Sequence, residues 1–336
     1  MAIKAAESSH EERRRPLPKT HVTTLANHLV HRPNSLEGIM HGSAGPVTQQ
    51  FGLSAPLPQQ HPLFNDGTGI FHDLHVPAEA LIRSALFVAH RYFRVPEERP
   101  AVFSTTEVAM TVLGSWRRTG EPAHLTMDLA LHPVDVVNGV PRGLECESTL
   151  SIEGMPCGTG RARMVFLMPK VYRNHRERGR AASRSGQSEH PRPTARTERP
   201  LPEAVGRSDP RNVVISTPLS VKDDTMLVQV APYPAHPVLS EAADHVPAVV
   251  LLEASRQAAI LLAGEMHDFS ADSCVLSGWS ANFQGFAEPD LPLYCAASPG
   301  PLRHEDRGMP VLPVNLVFSQ GSRQVGVVEA LVLQDC

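Results

Sequence analysis

The stretch DHVPAVVLLEASRQAAILLAG, residues 244–264, decides the fold of this chain. From residue 246 onward it is apolar on nearly every face except at Glu253, Arg256 and Gln257. A helix that is apolar all round is a buried one, and an ionised side chain inside it is costly unless it is paired or used. The three polar residues stand three and four apart, so they project from one face. The pattern predicts a buried helix that carries a site.

The composition limits the class of protein. The chain has 336 residues, a net charge of -4 and a pI of about 6.5, so it suits two domains and carries no overall basic field. Five scattered cysteines without a CxxC pattern favour reduced thiols. No signal-like N-terminus, membrane-length apolar run or metal-binding His pattern is found. We expect a cytoplasmic protein that binds no metal, nucleic acid or membrane.

Two polar segments divide the chain. Residues 1–19 are charged and predict a disordered tail. In residues 172–210, eight arginines between Arg173 and Arg199 lie among Ser, Thr, Pro and Gly, which predicts a disordered Arg-rich linker. The alternative interpretation of this segment is a basic patch for an acidic partner such as a carrier protein. The division leaves a first domain at residues 20–171 and a second at 211–336.

The two domains repeat the same order of elements. His61-Pro62 leads to Asp73, the letters HVPA and an apolar helix at 76–92, and His236-Pro237 leads to Asp244, HVPA and the helix described above. Strand-like sequence follows each helix, with hairpins around Glu153-Gly154 and around residues 320–322. This repeat predicts an α+β double hotdog, in which two antiparallel sheets each wrap around a buried central helix. The histidines before each Pro are expected to act in capping, packing or strand ends.

The stretch DHVPAVVLLEASRQA resembles the A-factor biosynthesis (AfsA-type) hotdog family, whose members make the skeleton of γ-butyrolactone autoregulators in filamentous bacteria. The similarity extends over roughly residues 30–172 and 213–333. Its other matching segments are VHR at 30–32, HPLF at 61–64, Asp73 with Ala78-Glu79, GTG at 158–160 with Pro169, Tyr172 and Arg173, and FQGFAEPD at 283–290. The second-half motif is the most specific of these.

The resemblance implies an acyltransferase that joins a β-ketoacyl thioester, on an acyl carrier protein or coenzyme A, to dihydroxyacetone phosphate. It implies catalytic roles for Glu79, Glu253 and Arg256. The first half departs from the family pattern, because Ile82 stands three residues after Glu79 and Arg83 follows it. Alignment of the two HVPA strings instead places Arg83 opposite Glu253. No cofactor is expected, since nothing is oxidised, and either a monomer or a homodimer fits two hotdogs in one chain.

The chemistry assigns a task to each candidate. Glu253, desolvated among apolar neighbours, is predicted to hold its proton tightly and to act as general base, with Glu79 assisting. Arg256 offers a fork of donors suited to phosphate. Gln257 is predicted to orient Glu253 or the substrate carbonyl, and Arg83 is predicted to bind substrate. Backbone amides near Ala248 and Ala78, at the two helix starts, are predicted to stabilise the thioester oxyanion.

Three alternatives stay open. In the first alternative, the charged residues of the second helix form a buried ion pair whose only task is to join the helices. A β-hydroxyacyl-thioester dehydratase would use His236 as base, since Pro247 precedes Glu253 by six residues as in such enzymes; Arg256 argues against it, because a dehydratase holds no phosphate. A non-catalytic acyl-ligand binding module would keep the fold and lose turnover.

Overall fold

The computed structural model describes residues 29–32, 47–58, 61–67, 69–185, 198–231, 236, 238–239, 244–305 and 308–335. These ranges contain three α-helices: α1 (His75–Arg91), α2 (Pro169–Ser185) and α3 (Ala248–His267). The predicted tail at 1–19 lies outside the described residues. None of the described helices is long and apolar enough to cross a bilayer.

Thirteen strands are present in the described part of the chain. They are β1 (Leu29–Arg32), β2 (Gln49–Pro56), β3 (Ala101–Met110), β4 (His124–Val137), β5 (Val140–Ile152), β6 (Met155–Phe166), β7 (Ser220–Lys222), β8 (Thr225–Gln229), β9 (Cys274–Phe283), β10 (Tyr294–Pro299), β11 (Arg303–His304), β12 (Pro310–Gln320) and β13 (Arg323–Gln334). Short 3-10 turns at Pro202–Val205 and Pro210–Asn212 precede the second half.

The strands form one continuous antiparallel sheet in the order β1-β2-β4-β5-β6-β3-β9-β13-β12-β10-β8-β7, with β11 on β12. The order is the same in both halves when read outward from the β3–β9 pair, as expected for a duplicated unit. The predicted double hotdog is therefore confirmed. The two sheets are not separate, however, because β3 and β9 pair from Thr105↔Asn282 to Ala109↔Gly278.

Each half wraps its sheet around one helix. α1 packs on β3, β5 and β6, and α3 packs on β9, β10, β12 and β13. The burial of α3 is nearly complete from Val250 to Ala263, as the all-round apolar sequence predicts. α1 buries one stripe, which includes Ala78, Leu81 and Val88. The second helix is thus the more enclosed of the two.

The predicted hairpins are present. Glu153 and Gly154 both have positive φ, at 49° and 75°, between β5 and β6, which is the backbone of a tight hairpin turn.

The GTG sequence of the family resemblance lies on β6, where α1 and a buried Trp come close. A Cβ on Gly160 would stand 2.6 Å from the Ser148 hydroxyl and 3.3 Å from Leu81. Gly is required there because the helix and the sheet leave no room.

The prediction of a disordered linker at residues 172–210 is wrong for residues 172–185, which belong to α2, and for residues 198–210, which include ordered 3-10 turns and the buried Arg207. Arg176, Gly179 and Ser183 form a buried stripe at helical spacing, and the Arg176 side chain is only 3% exposed. Its guanidinium donates to both carboxylate oxygens of Glu288, at 2.6 and 3.0 Å. Composition concealed this helix because its contacts are polar and come from the second half. Residues 186–197 of the predicted linker lie outside the described residues.

Candidate active site

Glu253 is the centre of a buried charge cluster. Its side chain is 0% exposed, and Arg207 donates to both of its carboxylate oxygens, at 2.8 and 2.5 Å. Gln257 donates to Oε1 at 2.6 Å, and Arg256 lies 3.7 Å from the same atom. The sequence prediction that these three α3 residues share one face is confirmed. Arg207, which was not predicted, makes the closest contacts.

The first half contributes Asp73 to this cluster. Its Oδ2 accepts from Arg207 at 3.0 Å, and Arg207 is 1% exposed. Arg207 therefore bridges a carboxylate from each half. Asp73 also accepts the backbone N–H of His75 at the start of α1, at 3.0 Å. The seam between the halves is the place where the charges meet.

The predicted direction of the Glu253 pKa is wrong. Burial acts to raise the pKa of Glu253, but the charge and hydrogen bonds of Arg207, with Arg256 beyond it, outweigh burial and lower it. The same balance between burial and Arg207 lowers the pKa of Asp73. Both groups are therefore held as carboxylates. The role of Glu253 as general base stays a prediction, and its oxygens are already engaged.

Arg256 lies between the cluster and a turn of the connecting segment. It donates to the carbonyls of Val205 and Gly206, at 3.0 and 3.2 Å, and its side chain is 13% exposed. Gly206 has φ of 64°, and an added Cβ there would meet the Arg256 guanidinium at 3.0 Å. Burial, and then the neighbouring Arg207, lower the pKa of Arg256. A cation in this position would be stabilised by an anionic ligand.

Gln257 fixes Glu253 to the backbone. Besides its bond to Glu253, it donates to the Asn212 carbonyl at 2.6 Å and accepts the Val214 amide at 2.9 Å. The side chain is 0% exposed. Of its two predicted tasks, the structure shows the contact with Glu253; substrate binding by Gln257 stays a prediction.

Glu79 and Arg83 lie apart from this cluster. They form an ion pair with each other on α1, with side chains 28% and 45% exposed. The HVPA alignment places Arg83 opposite Glu253, yet one lies at the surface and the other in the interior. The catalytic role of Glu79 and the substrate contact of Arg83 stay predictions, and the geometry does not bring either to Glu253.

A small polar cleft of about 40 Å³ lies beside the cluster. Three arginines line it, Arg118, Arg207 and Arg256, with Asp73 and Gly206 between them. Arg118 donates to the carbonyls of residues 67 and 69 at 3.2 Å. Three guanidinium groups around a confined space provide the positive charge that suits the oxygens of a phosphate group.

A second cavity, which is apolar and has a volume of about 350 Å³, lies at the N-terminus of α3. It lies between the halves; its lining includes Val102 and Phe103 of β3, Phe283 of β9, and Ala248 and Leu251 of α3. No side chain caps the start of α3, and of its first amides that of Val250 bonds the Pro247 carbonyl at 3.0 Å. Ala248 lines this cavity, and its role as an oxyanion donor stays a prediction. Ala78 is buried within α1, away from this cavity.

The two His-Pro motifs fold alike. The Nδ1 atom of His61 accepts the amides of Leu63 and Phe64 at 3.2 and 3.0 Å, and that of His236 accepts the two equivalent amides, both at 3.1 Å. The Nε2 atom of His236 then bonds Asn212 at 2.7 Å. Because Nδ1 serves as an acceptor, His236 is placed as a local cap and not as the free base that a dehydratase needs.

Arg207 is the principal residue that sequence reasoning missed. It lies within the predicted linker at residues 172–210, so composition gave it the character of a solvated linker residue. One signal was available: two buried carboxylates and one buried arginine leave an unmatched negative charge, which is costly in the interior. Nothing local in the sequence shows which of the many arginines balances it.

A sheet wrapped around two central helices, with its charges buried between the halves, defines this chain as a double hotdog protein. The family model of the A-factor biosynthesis hotdog domain matches residues 14–168 and 186–333. The chain belongs to that family, and the resemblance seen in the sequence is confirmed.

Two named relatives cover most of the chain. A 2-oxo-3-(phosphooxy)propyl 3-oxoalkanoate synthase of Streptomyces coelicolor is 30% identical over 276 residues, which is 81% of this chain and 82% of the relative. A synthase of the same name from Streptomyces virginiae is 27% identical over 281 residues, 83% of this chain and 88% of the relative. Among solved structures, a 12:0-ACP thioesterase from Umbellularia californica aligns with a TM-score of 0.48 at 10% identity, covering 84% of this chain and 94% of the other.

Proposed function

We propose that this chain is an acyltransferase that condenses a β-ketoacyl thioester with dihydroxyacetone phosphate. The reaction gives the 2-oxo-3-(phosphooxy)propyl 3-oxoalkanoate for which the two synthase relatives are named. It would be the first step toward γ-butyrolactone-type signalling molecules. The observation that carries the proposal is a polar arginine-lined cleft and an apolar cavity that meet the same helix, α3.

The two spaces fit the two substrates. The apolar cavity has the size of a ligand pocket and would hold the acyl chain, with the thioester carbonyl near the amide of Ala248. Arg256 in the polar cleft would hold the phosphate. Ala248 and Glu253 are five residues apart, which is about 7.5 Å along a helix. That separation allows the thioester and the phosphorylated alcohol to bind side by side.

The direct test supplies the purified protein with a β-ketoacyl-coenzyme A and measures free thiol and product mass. Thiol release is expected only when dihydroxyacetone phosphate is added, with a product whose mass is that of the phosphorylated ester. Thiol release without the alcohol, or hydration of an enoyl thioester, would support the dehydratase-like alternative. The binding-module alternative would be supported if wild type shows no turnover and the Glu253→Gln variant binds the acyl ligand as tightly as wild type does.

A second test addresses the phosphate. The variant Arg256→Ala should raise the KM for dihydroxyacetone phosphate about thirtyfold, since a hydrogen bond to a charged group contributes about 2 kcal/mol. It should change the KM for unphosphorylated dihydroxyacetone little. The control is Arg142→Ala on β5, an exposed arginine paired with Asp135. Equal losses with both alcohols would remove Arg256 from the phosphate site.

We further propose that the acyl donor approaches over α2. His175 of α2 lines the apolar cavity, and three exposed cations, Lys170, Arg173 and Arg178, lie on the outer face of that helix. A phosphopantetheine arm brings a phosphate to that surface, on either a carrier protein or coenzyme A. Replacing the three cations with Ala should reduce kcat/KM for the carrier-borne donor more than for the coenzyme A donor if the carrier is the substrate, with Lys222→Ala as control.

The cytoplasmic location and the monomer or homodimer state stay predictions.

A further inference from the structure

His75, the first residue of α1, is a buried histidine with both ring nitrogens unsatisfied. Its side chain is 3% exposed, and in the described part of the structure neither Nδ1 nor Nε2 has a hydrogen-bond partner. A buried polar atom without a partner costs about 1–3 kcal/mol. A fold retains such a cost where a ligand completes the bonds, as in a binding or catalytic site.

The surroundings of His75 belong to the seam between the halves. Asp73 Oδ1 lies 3.6 Å from Nδ1, and the ring of Trp279 on β9 lies 5.8 Å away, edge to face. The indole Nε1 of Trp279 and the hydroxyl of Thr106 on β3 are buried and also lack partners. Because Val108 pairs with Trp279 and Thr106 with Ala281, these two unsatisfied groups lie on adjacent strands. Unsatisfied donors and acceptors therefore gather where α1 meets the β3–β9 pair.

The proposed reaction needs a base that Glu253 is poorly placed to supply. Arg207 occupies both of its oxygens, and Gln257 takes a further bond to Oε1. The pKa of Glu253 is lowered because Arg207 outweighs burial, so its affinity for a proton is reduced. His75 has two uncommitted nitrogens in the same cluster. Asp73 and Leu74, the residues directly before it, line the arginine-rich cleft.

We propose that His75 is the general base of the condensation, an inference that rests on the function proposed above. A ring nitrogen of His75 takes the proton of the dihydroxyacetone phosphate hydroxyl while its oxygen attacks the thioester carbonyl. The tetrahedral adduct collapses, the C–S bond breaks, and the imidazolium returns the proton to the leaving thiolate. One ester and one thiol form, and His75 is regenerated. Asp73, held by Arg207, orients the ring and stabilises its cationic form.

The variant His75→Asn tests the assignment. General base catalysis contributes about 10²–10⁴-fold, so kcat should fall by that factor while the KM for dihydroxyacetone phosphate changes less than threefold. The control is His90→Asn at the other end of α1, where Nδ1 bonds the Val95 carbonyl, and its kcat should match wild type. A kcat within threefold of wild type for His75→Asn overturns the proposal. His75→Phe, which keeps the ring and the contact with Trp279, supplies the same comparison should the Asn variant not fold.

The pH profile of the wild type gives a readout that a packing role would not move. The carboxylates of Asp73 and Glu253 interact with the ring and are both held ionised, so a fall in kcat toward acid pH that is present in wild type and absent from His75→Asn would report protonation of the base. Burial lowers the pKa of His61, a ring that also interacts with Asp73, and a His61→Asn variant should keep the acid limb. An acid limb of the kcat profile that is the same in wild type and in His75→Asn also overturns the proposal. Absence of ester from wild type with any donor would refute the proposed function itself, a result distinct from these.

Discussion

The two central helices have the same opening sequence, but the charged residues of one are buried and those of the other are partly exposed. α3 buries Glu253, Arg256 and Gln257 in the interior, where Arg207 compensates the carboxylate. α1 carries Glu79 and Arg83 on a partly exposed surface, where water screens them. Duplication of a fold therefore does not duplicate its site. The first half instead contributes the residues just before and at the start of its helix, Asp73 and His75.

The largest difference between the halves should appear when each loses one arginine. Arg207→Met leaves Glu253 and Asp73 buried without their cation, so we expect a loss of about 3–5 kcal/mol in the free energy of unfolding, with loss of product. Arg83→Met removes only a partly exposed partner, and we expect a change within about 0.5 kcal/mol. Urea unfolding curves measure both. Similar losses for the two variants would contradict the contrast drawn between the helices.

The segment that joins the halves should behave like the interior of the second half. Arg176→Ala leaves the buried Glu288 with only the partly exposed Arg180, so we expect a loss of about 3 kcal/mol, the lower end for a broken buried pair. Arg184→Ala, on the same helix, breaks a pair with Asp290 whose side chains are 61% and 59% exposed, and should have little effect. Thermal unfolding distinguishes them. If the two variants unfold together, α2 is not held by its buried face.

Acid should weaken the site at the seam. Despite burial, the neighbouring Arg207 lowers the pKa of both Asp73 and Glu253 in the folded state, below the value near 4 of the unfolded chain. Their contribution to stability is therefore complete above about pH 5 and is lost as the pH falls through the folded-state values. We expect the free energy of unfolding to decrease from pH 5 to pH 3. Asp73→Asn with Glu253→Gln should flatten that slope, and an unchanged slope would assign it to other carboxylates.

The smallest effect is expected at Glu79. Its carboxylate pairs with Arg83 and not with the cluster, so Glu79→Gln should change kcat less than tenfold, whereas Glu253→Gln removes the carboxylate charge that holds Arg207 in the cluster and should lower kcat more. Steady-state kinetics with the same donor and dihydroxyacetone phosphate measure both. A loss at Glu79 as large as that at Glu253 would restore the assisting role that the sequence predicts and would require α1 to move.

The sequence predicts those features that depend on local periodicity. The face shared by Glu253, Arg256 and Gln257 follows from helical spacing, and the double hotdog follows from the repeated HVPA helix and its strands. The Glu153-Gly154 hairpin follows from turn residues between alternating strands. Each of these features is encoded within a few neighbouring residues.

The features that sequence reasoning missed depend on contacts between distant segments. The pKa of Glu253 is lowered because Arg207, 46 positions earlier, bonds it. α2 forms in an Arg-rich segment because Arg176 meets Glu288, 112 positions later. Apolar spacing cannot show such helices, since their buried stripe is polar. The arginines at 176, 180 and 184 stand four apart, and a spacing rule applied to arginines would have indicated that they share one helix face.

The β3–β9 pair has a consequence for the synthesis of the chain. When the first half leaves the ribosome, β3 is an edge strand with a row of open amides and carbonyls, and its pairing partner has not yet been made. Until β9 arrives, that edge can pair with another nascent copy, a route to domain exchange or aggregation. Chains cut after the first half should therefore be prone to self-association, and chaperones that shield open strands should favour correct assembly of the whole.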